Sequence, residues 1–375
     1  MNIFMVQISR ISATEPHNKH MNLSFISSMK NLFVLSALVF LFACNDQSNA
    51  PDVSKINVDL SVQRFEQDFF AIDSNQTKAG LTALQNKYPT FLPLFVNHVL
   101  GLGAFTDTNQ LLFEGSKRFL HLNKPVYEKS QELYKNFNPV KEELSKGFQY
   151  VKYYFPTYQV PSIITTVGPM DALAPMSNNE PSPNYIGENF LAVGLQFYLG
   201  KDFAIYTDPG YISSIAPQYR SRRFSKEFIP TDVFMLVIDD LYPDSSNRFP
   251  LIERFVEKGK RLYLLNKFLP QANDTLLIGY TGKQLDWCKE SERSIYNFFI
   301  QQNLLFEMDP ALTQNFTTDG PSTQGMPENS PGNIGAYLGW EIVKAYIKKN
   351  PDLSPQRLMQ TPNKKIFDES GYKPR

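Results

Sequence analysis

Side chains able to carry chemistry are few in this sequence. It holds two cysteines, Cys44 and Cys288, and four histidines, His17, His20, His98 and His121. A zinc site draws three or four ligands from His, Cys and acidic residues, usually with two of them closely spaced. His98 and His121 stand far apart, and no H-E-x-x-H occurs. The G-x-S-x-G turn of hydrolases, the phosphate-cradling P-loop and the G-x-G-x-x-G of dinucleotide sites are absent too. On this reading the chain needs no metal and no cofactor, offers no catalytic residue and is not an enzyme. Cys288, beside Trp287 in a helical pattern, reads as a buried structural thiol.

The densest set of functional groups lies between residues 201 and 232: Asp202, Tyr206, Tyr219, Arg220, Arg222, Arg223, Glu227 and Asp232. Guanidinium forks match carboxylates and phosphates, so these residues suit a groove for an anionic or glycan ligand. They also suit a solvated loop followed by a helix whose early acids complement its dipole. Glu341 joins the set by pattern. It shares an apolar helical face with Ile334, Leu338 and Ala345, and a buried carboxylate needs a partner. The expected partner is an Arg or Tyr of the same stretch. Gly335 and Gly339, one turn apart, leave a bare strip where another backbone can approach, which marks this helix as central.

The elements that must position these groups are mostly helical. Hydrophobic residues make up 42% of the chain, enough for a substantial core, and aromatics 14%, with 30 Phe and 19 Tyr. Helical spacing dominates up to about residue 150, with Val62, Phe65, Phe69, Phe70 and Ile72 forming one amphipathic set. Val160 to Val167 is β-branched and bounded by Pro156 and Gly168-Pro169, the pattern of a strand. Met170 to Glu188 reads as loop. Phe190–Tyr198 and Phe203–Tyr206 read as strands around a hairpin-like turn at Gly200. Helices are expected from Ile229 to Tyr242, along Leu251–Leu269, over Thr281–Phe306 and from Ile334 to Lys349, with a loop over 309–332. The sum is an α+β fold, mainly helical, with a small central β-sheet or hairpin.

The N-terminus carries an address. Leu32 to Ala43 is uncharged and too short to span a bilayer, but it fits the apolar region of a signal peptide. Met29-Lys30 supplies a start and a positive charge, so Met29 reads as the true start and residues 1–43 as the leader. Cys44 directly after Leu41-Phe42-Ala43 has the form of a lipobox, in which the thiol is acylated. Residues 44–55 are polar enough for a lipidated tether, and 56–375 read as one α+β domain. The acyl chains meet the two-signal requirement for stable anchoring, so one partner is the lipid bilayer, met through Cys44. With Lys plus Arg at 37 and Asp plus Glu at 37, the chain lacks the basic excess of a nucleic-acid binder.

The order of several short pieces resembles the gliding-motility lipoprotein GldB family of Bacteroidetes. The pieces are Leu60-Ser61-Val62-Gln63-Arg64-Phe65-Glu66, Tyr88-Pro89, Leu199-Gly200-Lys201-Asp202-Phe203 with Tyr206, Tyr280-Thr281, and Pro331 to Val343. The resemblance covers nearly all of residues 55–350. It implies a non-enzymatic component of the gliding-motility and associated secretion machinery, lipid-anchored in the cell envelope, facing the periplasm rather than the cell surface. Other gliding or secretion proteins are its implied partners. That family is in turn similar to zinc peptidases that keep H-E-x-x-H; here the corresponding stretch, Glu227 to Leu241, has no His, which points to a degenerate form of their fold. The alternatives are an envelope hydrolase using carboxylates and a glycan-binding lipoprotein, which needs exposed aromatic platforms from Trp287 or Trp340. Thr275, in Asp274-Thr275-Leu276, fits the Asp-Ser/Thr-apolar pattern of O-glycosylation in those bacteria, in an expected turn between helices.

Overall fold

The computed structural model describes residues 50–374 apart from 107. Cys44, Met29, the leader and the first half of the tether lie outside the described residues. Ala50–Arg375 forms one compact unit, and packing starts earlier than residue 56: Val53 is already buried.

The chain enters through β1 (Val62–Arg64) and passes directly into α1 (Phe65–Phe70). Next come α2 (Thr77–Lys87), α3 (Phe91–Leu94) with a π-helical turn over Phe95–Val99, α4 (Gln110–Leu122), α5 (Lys124–Tyr134) and α6 (Asn138–Tyr154). β2 (Ser162–Thr166), β3 (Ala174–Pro175), β4 (Pro181–Ser182), β5 (Asn184–Ile186) and β6 (Phe190–Gly194) occupy the middle of the sequence. Then follow α7 (Pro209–Ser214), α8 (Gln218–Ser221), α9 (Ile229–Leu241), α10 (Leu251–Phe268), α11 (Asp274–Ile278), α12 (Gly282–Glu290) and α13 (Glu292–Gln301). The last are α14 (Pro310–Thr317), α15 (Ile334–Lys349), α16 (Pro355–Gln360) and α17 (Asn363–Ser370). This is the mainly helical α+β architecture that the sequence implies.

One sheet, ordered β1-β2-β6-β5, separates two apolar cores. β1, β2 and β6 run parallel and β5 returns antiparallel to β6. Successive strand residues point to opposite faces. Ile163, Leu191 and Val193 therefore enter the larger core, and Ile164, Phe190 and Ala192 the smaller. Burial on both faces explains why β6 reads as a continuous apolar run. The smaller core is an aromatic cluster from α1 to α3, with Phe65 4.9 Å from both Phe91 and Phe95 between ring centroids. At its rim Arg64 donates to Glu66 at 2.7 Å and to the Tyr134 carbonyl at 2.9 Å, and the Thr165 hydroxyl donates to Glu66 at 2.5 Å.

The larger core is built on α10 crossing α15. Gly259 and Gly339 meet there backbone to backbone. A Cβ on Gly339 would lie 1.6 Å from the Phe255 carbonyl oxygen, and one on Gly259 would lie 2.1 Å from that of Gly339. The bare strip is thus a contact surface and α15 is central.

Several local expectations give way to packing. No hairpin forms around Gly200: after β6 the chain makes short 3-10 turns at Leu195–Phe197 and Ala204–Thr207. The Tyr206 hydroxyl donates back to the Gln196 carbonyl and accepts from the Leu199 N–H, which closes the segment on itself and leaves no ladder to pair. The 170–188 loop contains the β3–β4 hairpin and β5. Thr281–Phe306 breaks at Ser291 into α12 and α13, although the capping box at Thr281 and Gln284 forms. Within 309–332, Asp309 accepts from the Ala311 N–H and starts α14.

Gly339→Leu should destabilise the protein by at least about 1–3 kcal/mol, the usual cost of overpacking, because backbone atoms of α10 must move. Urea melts of the two proteins measure it; an unchanged midpoint and slope would remove the crossing from its central place.

Candidate functional site

A cleft of about 400 Å³ opens where α9, α10 and α11, the β3–β4 hairpin and the start of α15 converge. Helical spacing aims the α9 residues: Asp232 and Met235 sit one turn apart on the side facing the cleft. From α10 come Lys258, Arg261, Leu262 and Leu265; from the hairpin, Met176, Asn178 and Glu180. Arg220 and Arg223 enter from α8 and the turn after it, and Asp319 from the segment following α14.

Most charges in the cleft are paired. Arg223 donates to Asp319 at 3.1 Å, and Lys258 to Glu180 at 2.7 Å. Arg261, almost fully buried, reaches Asp239 at 3.2 Å, Glu257 at 3.3 Å and Asp244 at 3.7 Å, and donates to the Tyr242 carbonyl at 2.5 Å. At the bottom of the cleft Asp232 accepts from the Tyr198 hydroxyl at 2.9 Å, and that hydroxyl accepts from the Asn184 side-chain amide at 2.7 Å. This chain of contacts joins the cleft to the sheet edge.

The two central carboxylates titrate in opposite directions. Burial pushes Asp232 up to about 6, against the opposing pull of Arg223 and the Tyr198 hydroxyl. Burial acts on Asp319 as well, but Arg223, Lys258, Arg220 and Arg222 together outweigh it and hold that carboxyl below its usual range. Cys288 is buried, and burial pushes its thiol up to about 12, far from a nucleophile's range.

Of the residues singled out by sequence, Arg220, Arg223 and Asp232 line the cleft. Arg222 lies just behind it and donates to the Gly279 carbonyl at 2.6 Å. Gly279 turns with φ +75°, and a Cβ there would lie 2.7 Å from the Arg223 guanidinium, so this glycine makes room for the arginine. The remaining residues fall elsewhere. Asp202 is exposed in a turn and pairs with Lys201, and Tyr206 is a core residue. Tyr219 and Glu227 are not among the lining residues. Glu341 does not reach the 202–232 stretch: it is half-buried and pairs at 2.8 Å with Lys344, three residues along its own helix. A local cation on α15 satisfies it, so no remote donor is required. Thr275 lies within α11 rather than in a turn. Sequence reasoning missed Glu180, Tyr198, Lys258, Arg261 and Asp319. They come from separate elements, and only the Pro/Asn/Gly-rich texture around 178–183 and 319–333 hints that those loops carry site residues.

Fold and cleft define a mainly helical α+β domain with a charge-paired cleft, and sequence comparison places it among the gliding-motility proteins. The chain belongs to the family of gliding motility protein GldB, whose profile matches residues 46–374. That family is designated a lipoprotein family, and among the described residues no helix is long and apolar enough to cross a membrane. No curated protein and no solved structure matches the chain. The similarity to zinc peptidases has no counterpart in these comparisons.

Asp232 sets a pH dependence. Its folded pKa lies above its unfolded value of about 3.8, so the folded state holds the proton more tightly. The stability this gives is complete below about pH 4 and is lost as pH rises through about 6. Asp232→Asn keeps an acceptor for Tyr198 and should therefore exceed the natural protein by about 1–2 kcal/mol at pH 7.5 and match it near pH 4. Denaturant melts at both pH values test this; a pH-independent difference would contradict the assignment.

Proposed function

We propose that this protein is held to a membrane of the cell envelope by acylation of Cys44, faces the periplasm, and serves the gliding machinery and its associated secretion apparatus as a non-enzymatic component. The observation that carries the reading is the family match, which starts at residue 46, two residues after the lipobox cysteine, and runs through the whole folded unit. A domain that begins to pack at Val53 leaves only a short tether behind such an anchor and stays close to the bilayer. The cleft favours the non-enzymatic role, because its carboxylates are engaged by Arg223, Lys258, Arg261 and Tyr198. The glycan reading loses an aromatic platform, since Trp340 is buried.

One observation favours the hydrolase reading. Asp232 and Asp319 share a cleft in which one is pushed up and the other down, the pattern of an acid–base pair. Asp232→Asn separates the two readings. Normal abundance with normal spreading of colonies fits the non-enzymatic role; normal abundance with complete loss of motility fits catalysis.

The anchor has its own test. Cys44→Ser removes the only acylation site, and the protein should leave the detergent phase of a membrane partition while gliding is lost. A serine variant that still partitions with detergent, its leader cleaved, would overturn the anchoring.

A further inference from the structure

The paired charges of the cleft leave two groups over. Glu180, Asp232, Asp244 and Asp319 are engaged by Lys258, Tyr198, Arg261 and Arg223 respectively. Among the described lining residues Arg220 stands apart: its guanidinium makes no hydrogen bond and no ion pair, and it feels Asp319 only at longer range. Asn333, also a lining residue, precedes α15 in a left-handed conformation at φ 55°. Its backbone carbonyl accepts from the Tyr280 hydroxyl at 2.8 Å, while its side-chain oxygen is buried without a partner. The partly exposed guanidinium keeps its donors available to an acceptor entering the cleft, and a buried amide oxygen needs a donor. The same cleft is lined by apolar Phe228, Met235, Leu262, Leu265, Leu276 and Ile278.

We infer that the cleft binds the carboxy-terminal end of a peptide whose last residue is apolar. The terminal carboxylate would occupy the fork of Arg220, a geometry that two parallel N–H···O bonds make specific. The last peptide N–H would donate to Asn333, and the last side chain would lie on the leucine and methionine wall. A monoanion suits the site better than a phosphate, because Asp319 and Asp232 repel a second negative charge. A volume of about 400 Å³ is within the usual range of ligand pockets, about 300–1,000 Å³, and accommodates the end of a chain rather than a folded surface.

The test titrates the full chain by calorimetry with an acetyl-capped alanyl-leucine acid, with the carboxamide of the same dipeptide, and with decanoate. The acid should bind saturably, and the carboxamide about tenfold more weakly or worse. Decanoate, which has the carboxylate but no N–H for Asn333, should also fall about tenfold short. Arg220→Gln, which breaks no contact of the unliganded protein, should weaken the acid about tenfold and leave the melting temperature unchanged. The inference is overturned if the acid shows no saturable binding up to about 1 mM, if acid and carboxamide bind alike, or if Arg220→Gln has no effect. Decanoate binding as tightly as the dipeptide would overturn it too, in favour of a free acyl carboxylate.

Discussion

Where α10 crosses α15 there is no side chain between the backbones: Gly259 and Gly339 touch directly. Much of the molecule is arranged by that distance. α10 presents Gly259 to α15, yet its neighbours Lys258, Arg261 and Leu262 line the cleft. The first residues of α15 supply Ala336, with Asn333 just ahead of the helix. Cleft width on this side is therefore set by main-chain contact, which cannot relax by changing rotamers as a leucine–leucine contact can. The smaller core on the far side of the sheet is independent of this crossing and relies on aromatic packing instead.

Arg261 and Asp232 show two solutions to burying charge. Arg261 is surrounded by Asp239, Asp244, Glu257 and a backbone carbonyl, so desolvation is met by several partners at once. Asp232 has the Tyr198 hydroxyl and the more distant Arg223, and its carboxyl responds by holding a proton more tightly. The first arrangement fixes α9 against α10. The second leaves a group near the sheet edge that changes charge close to neutral pH.

The sequence made the architecture legible wherever one element supplies its own signal. The helix along Leu251–Leu269, the helix start at Thr281 and the glycine strip of Gly335 and Gly339 all stand as read. β2 was visible because its β-branched residues are bounded by Pro156 and Gly168-Pro169. What failed were contacts between distant parts of the chain. Tyr206 looked like strand and is tied back to Gln196; Glu341 looked like a buried partner for an arginine and is satisfied by Lys344. The cleft was half visible, since Arg220, Arg223 and Asp232 are close in sequence. Their counterparts Glu180, Lys258 and Asp319 are contributed by a hairpin, a helix and a loop that only tertiary folding brings together. No local period or motif records such a meeting.

Tension delivered through the N-terminal end of the chain would meet Val53 and Leu60 first and then β1, an edge strand of three residues. So short a ladder peels easily by itself. Its C-terminal end, however, is fastened by Arg64, whose guanidinium spans Glu66, Thr165 and the Tyr134 carbonyl, drawing β1, β2 and α5 into one joint. Glu66 is buried, and burial pushes its carboxyl up against the opposing pull of Arg64 and Thr165. That joint is a mechanical rivet: pulling it apart would leave the buried Glu66 without its guanidinium, so tension applied at the N-terminal end must break it before β1 can leave β2.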